Sequence, residues 1–205
     1  MGDDGAASWL ERVPQNISDG TMAGRLGDAV IQNGGSMEEV ISSAKLKAEE
    51  LGQTVEEAAR FVGLAVGAGR IAAGSNLKEA AQGAFDTASA NGSSIEEAAI
   101  IGGEAAGHGA VVKGGDGAAA AAAASAATRR LGGARVGPRA AALAAAAVAK
   151  ESGQSIEDIA TAAGMAAADS GYDIENAGFV AGKLAQRFIL WQGGTVEEVL
   201  TCLRF

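Results

Sequence analysis

The sequence predicts an all-α, solenoid-like array of antiparallel helical hairpins in one domain, built on a two-helix repeat of about 40 residues. Three observations predict it. A stop-and-start signal for helices recurs along the chain, the intervals between its copies alternate regularly, and the composition suits close-packed helices. Of 205 residues, 49 are Ala and 31 are Gly. Ala is the strongest helix former, and Gly is the residue that most readily ends a helix.

The signal is a Gly, a spacer, a small polar residue, an aliphatic residue and two acids. It reads Gly52-Gln53-Thr54-Val55-Glu56-Glu57, Gly92-Ser93-Ser94-Ile95-Glu96-Glu97 and Gly153-Gln154-Ser155-Ile156-Glu157-Asp158. Gly35-Ser36-Met37-Glu38-Glu39 repeats it with the spacer missing, and Gly194-Thr195-Val196-Glu197-Glu198 closes the series. Weaker copies start at Asn16, Asn76, Asp116 and Asp173. Gly ends one helix in the left-handed conformation, and the small polar side chain caps the next by accepting a free backbone N–H. Glu three residues on completes a capping box at Ser36/Glu39, Thr54/Glu57, Asn76/Glu79, Ser94/Glu97 and Thr195/Glu198.

The elements follow in order. Residues 1–13 are a lead-in, 14–194 carry the repeats, and 195–205 form a short terminal helix. Caps fall at 16, 36, 54, 76, 94, 116, 155, 173 and 195, with one expected near 134, in steps of about 18 and 22 residues. That makes about nine or ten helices, joined by short connections that turn successive helices antiparallel. Near 134 the cap is replaced by Leu131-Gly132-Gly133-Ala134-Arg135-Val136-Gly137-Pro138-Arg139, where Pro138 suits a first helical turn. The flanking helices, 118–127 and 140–149, are nearly pure Ala. Inside the helices, Gly63, Gly67 and Gly69 match Gly103, Gly107 and Gly109 at an offset of 40, and Gly24 and Gly182 occupy the corresponding region of the outer units. Each costs about 1 kcal/mol relative to Ala. The plain return is close approach of helix axes; the sharper one is a flat cofactor, such as a tetrapyrrole, lying on the Gly face.

Composition narrows the function. A net charge of −9 argues against nucleic acid as a partner. A single Cys rules out a disulfide framework and a Cys-rich metal site, and one Cys with one His leaves little material for metal or nucleophilic chemistry. No stretch approaches the length of a transmembrane helix, and the N-terminus lacks a secretory signal, so an intracellular location is expected. Val66-Gly67-Ala68-Gly69-Arg70 looks like a degenerate dinucleotide loop but falls inside a helix, where that motif has no meaning.

The remaining candidates are few. Glu104 and His108 share a helix face and are placed to contact a pigment magnesium, or simply to pair on the surface. Arg129, Arg130, Arg135 and Arg139 form a basic cluster, read as a solvated loop or as a dock for an acidic partner or anionic lipid headgroups in peripheral membrane association. Tyr172, Phe179, Phe188, Trp191 and Phe205 crowd the C-terminal end, as a core that closes the array or as anchors for a partner. No catalytic set is assembled, and the reading is non-catalytic: a scaffold that bridges other protein subunits. A small-molecule or pigment carrier using the Gly faces is the alternative.

The segments Gly52-Gln53-Thr54-Val55-Glu56-Glu57-Ala58-Ala59 and Gly92-Ser93-Ser94-Ile95-Glu96-Glu97-Ala98-Ala99 resemble those of Ala/Gly-rich helical-repeat proteins of algae with secondary plastids, of cryptophyte and dinoflagellate type. The resemblance implies a small helical linker joining light-harvesting antenna to a photosystem core. It also implies a plastid location, stromal or at the thylakoid surface, as a mature form, with chlorophyll contacts incidental.

Overall fold

The computed structural model describes residues 13–193 and Thr195, and the expected lead-in and terminal helix lie outside these, apart from Val13 and Thr195. All regular structure among the described residues is helical. The helices are α1 (Val13–Gln32), α2 (Met37–Glu50), α3 (Val55–Ala72), α4 (Leu77–Ala90), α5 (Ile95–Val112), α6 (Gly117–Arg130), α7 (Gly137–Glu151), α8 (Ile156–Asp169) and α9 (Ile174–Trp191). A 3₁₀ turn, Ala134–Val136, precedes α7.

The capping chemistry sets these boundaries. Ser36, Thr54 and Asn76 each accept the backbone N–H three residues on, and Glu39, Glu57 and Glu79 each reach back to close the box. Asp116, Ser155 and Asp173 accept from Ala119, Asp158 and Asn176. At the stops, the helix carbonyls are closed by a left-handed glycine. Gly52 (φ 65°) donates to the Glu49 carbonyl, and Gln53 donates to that of Ala48.

Two boundary expectations change. Asn16 lies inside α1, which is already helical at Val13 and tolerates Pro14 in its first turn. In the first repeat the spacer is present after all: Gly34 takes the left-handed conformation (φ 82°), and Gly35 is the spacer. Near 134 the replaced cap is as the sequence indicates: no side chain caps the helix, and the 3₁₀ turn leads directly into α7, with Pro138 in its first turn.

Successive helices pack as antiparallel hairpins, so α1, α3, α5 and α7 run parallel to one another and form an inner layer. The even-numbered helices lie outside. The array curls until α1 meets α7 and α9. The inner layer supplies the physical reason. Gly27 of α1 sits against the Ala65 carbonyl of α3, Gly67 of α3 against Ala105 of α5, and Gly107 of α5 against Ala144 of α7. A Cβ on Gly107 would stand 3.0 Å from the Ala144 methyl and 3.1 Å from the Ala120 carbonyl. These contacts recur at one 40-residue interval and bring inner axes close, so the inner arc is shorter than the outer one.

The core is correspondingly methyl-rich. Ala dominates the buried positions, with Phe61, Ile100, Ile101, Leu143, Leu184 and Phe188 as its large members. Each buried methyl removes little apolar area, so stabilisation comes from many close contacts instead of a few large side chains.

Candidate functional site

The inner helices enclose a lumen, and two of the polar groups inside it, Arg60 and Glu104, stand where the neighbouring repeat has Ile100 and Leu64. Towards the N-terminal ends of these helices, Arg60 (α3) and Arg139 (α7) interleave with Glu97 and Glu104 (α5). Arg60 donates to Glu104 Oε2 at 2.5 Å and to Glu97 Oε1 at 3.3 Å. Arg139 reaches Glu97 Oε2 at 3.0 Å. All four side chains are buried or nearly so. Asp19 of α1 accepts from the Gln53 amide at 2.9 Å and adds a favourable field at Arg60.

The electrostatics follow from burial. Loss of water pushes the Glu104 carboxyl above its ordinary range, and the Arg60 guanidinium only partly offsets this. Burial also works against the Arg60 charge, but Glu104 and Glu97 outweigh it and hold the guanidinium cationic. At Arg139 burial wins and lowers the pKa, with Glu97 opposing. One Glu104 oxygen, Oε1, is buried without a hydrogen-bond partner.

Beyond Glu104 the lumen continues as a cavity of about 240 Å³ between α1, α3, α5 and α7. Ile17, Leu64, Val111 and Leu143 give it an apolar wall, Gly20, Gly24 and Gly107 give it flat backbone, and Glu104 closes its floor. His108 stands one turn above Glu104, with Nε2 3.6 Å from the Asp28 carboxylate of α1. Glu104 and His108, paired by their spacing in sequence, therefore meet in one cavity. Arg60, Glu97 and Asp28 complete the setting; Arg60 and Asp28 look like ordinary charges on their own helices, and the sequence signal at Glu97 is that of a capping box alone.

The other sequence candidates separate. Arg129, Arg130 and Arg135 are exposed around the α6–α7 connection, and Arg129 also donates to the Ser170 carbonyl at the end of α8. Arg139 does not belong with them: it points inward to Glu97, because its place in the first turn of α7 faces α5. Phe188 is corrected in the same way. It is 1% exposed, a core residue facing α7 and α8, and offers no surface to a partner. Tyr172 is half-buried against the same core. Phe179 and Trp191 remain on the surface, beside the Lys183 ammonium at 5.7 Å and the Lys150 ammonium at 5.0 Å from their ring centres. Phe205 lies outside the described residues.

Among the described residues, no group of three or more His, Cys, Asp or Glu is placed to hold a metal ion, and no helix is long and apolar enough to cross a membrane. No protein-family model matches the chain, and no curated protein matches it.

Proposed function

We propose that this chain is a non-catalytic helical scaffold that bridges larger protein partners. One observation carries the reading. The aliphatic residue of the capping signal opens α3, α5 and α9, and each time it stands in solvent: Val55 is 76% exposed, Ile95 69% and Ile174 91%. Helix initiation needs the polar cap and the acids, and it does not need an aliphatic side chain beside them. These residues lie at the same end of the array, because the odd-numbered helices run in one direction. Leu51 adds an exposed apolar side chain on this rim, and Arg129, Arg130 and Arg135 add positive charge where the α6–α7 connection lacks the aliphatic residue. An apolar row interrupted by basic residues suits a partner surface that is apolar with acidic margins.

The resemblance to algal repeat proteins makes a junction between antenna and photosystem core, at the plastid membrane surface, the particular setting of this proposal. No reaction is assigned to the lumen, where Arg60, Glu97, Glu104 and Arg139 are engaged with one another.

Gentle extraction from the source, followed by mass spectrometry of the intact assembly, tests the reading. The expected result is a stoichiometric complex that a Val55→Ser, Ile95→Ser, Ile174→Ser variant no longer joins, with its circular dichroism unchanged. A wild-type chain that elutes alone, or a triple variant that still assembles, would overturn it.

A further inference from the structure

We propose that the lumen is a binding site for a small apolar molecule bearing a protonated amine. The floor supplies the first reason. Glu104 gives one carboxylate oxygen to Arg60 and leaves the other, Oε1, buried with no hydrogen-bond partner. Buried acceptors in folded proteins are almost always satisfied, and an ammonium group can donate one of its three N–H bonds to this oxygen. A charge-assisted bond there is stronger than one from a neutral donor.

The wall supplies the second reason. Between floor and mouth the cavity is lined by Ile17, Leu64, Val111 and Leu143, so a hydrocarbon body replaces water at a gain. The mouth supplies the third. Val112 and Glu151, the last residues of α5 and α7, line this end of the cavity, so the negative ends of those two helix dipoles face an entering ligand. Glu151 lines this end, and Asp28 stands beside His108. The nearby Lys150 ammonium lies over the Phe188 and Trp191 rings, at 5.9 and 5.0 Å from their centres. An anion would meet Glu151 on entry and Glu104 at the end; a cation is favoured at both. The site is independent of the rim proposed to hold protein partners.

Calorimetry on the full chain at neutral pH tests this with three probes of one shape: 1-naphthylmethylamine, 1-naphthalenemethanol and 1-naphthoate. The amine is expected to bind one to one, the alcohol about tenfold more weakly, and the carboxylate not at all. Glu104→Gln should bring the amine down to the affinity of the alcohol. Ala147→Phe, which fills the cavity without touching the ion pairs, should abolish binding while leaving the melting curve cooperative. This second variant keeps the test decisive should Glu104→Gln fail to fold. Equal affinity for amine and carboxylate, retained binding in Ala147→Phe, or no saturable amine binding in the millimolar range would overturn the proposal.

Discussion

The Glu97 carboxylate lies 3.0 Å from the Arg139 guanidinium and does not turn back to cap its own helix. At Ser36, Thr54 and Asn76 the corresponding Glu closes a capping box. Ser94 still accepts the Glu97 backbone N–H at 3.2 Å, but the acid side chain has been diverted inward to Arg60 and Arg139. One local signal thus serves two ends: it starts a helix, and in α5 it also supplies the carboxylate between two buried cations.

Removing that carboxylate leaves two guanidinium groups short of charge. Glu97→Gln is expected to cost about 3 kcal/mol, the range for breaking a buried pair from one side. Ser36→Ala, which removes an ordinary cap, should cost about 1 kcal/mol. Urea unfolding of both variants at neutral pH gives the comparison. Equal losses would mean that the buried pairing adds nothing beyond helix initiation.

Glycines in equivalent helices should respond with opposite signs. A Cβ on Gly103 would stand 2.7 Å from the Ala124 carbonyl, a backbone atom that cannot step aside. Gly103→Ala is therefore expected to lose about 1–3 kcal/mol through overpacking. Gly178 in α9 has nothing within 4 Å of the same position. Gly178→Ala should gain about 1 kcal/mol from helix propensity alone. Thermal melting of the two single variants measures both.

The raised Glu104 carboxyl makes stability depend on pH in a defined sense. The folded state holds this proton more tightly than the unfolded chain. Stability from this group is thus full below the ordinary carboxyl range and falls as pH rises through that range to the raised folded value. Glu104→Gln removes the dependence. The stability gap between wild type and variant should narrow as pH rises across this window, measured by urea unfolding at successive pH values. A gap that widens would reverse the assignment.

The C-terminal aromatics should divide by burial. Phe188→Ala is expected to cost about 3–5 kcal/mol, as for other buried large-to-small changes. Trp191→Ala removes a half-exposed ring and its contact with Lys150, worth less than about 1 kcal/mol. Denaturant midpoints of the two variants separate these outcomes.

Helix boundaries were legible because their code is local: a cap and its Glu are three residues apart, and a stop is a single Gly. The missing cap near 134 was legible for the same reason. Curvature was not, since it arises from contacts such as Gly27 with Ala65 and Gly67 with Ala105, each joining helices in different units. Gly67 and Gly107 are marked in the sequence by their shared offset, whereas the part played by Gly27, at the same interval, is set by its contact with Ala65 on α3. In the site, the Glu104–His108 pair could be read from a four-residue spacing. Arg60 could not, because it lies 44 residues from Glu104. Arg139 sat in a run of basic residues along the chain, and only the inward face of α7 distinguishes it from Arg129, Arg130 and Arg135.

Contact of α1 with α7 and α9 couples the first described unit to later ones. An open stack accepts duplication of one unit with little change elsewhere. Here an added hairpin would pry α1 away from α7 and α9, and a deleted one would collapse the space between α1, α3, α5 and α7. The chain is modular in its code and interdependent in its folded form, so duplicating an internal unit would cost the contacts that α1 makes with α7 and α9.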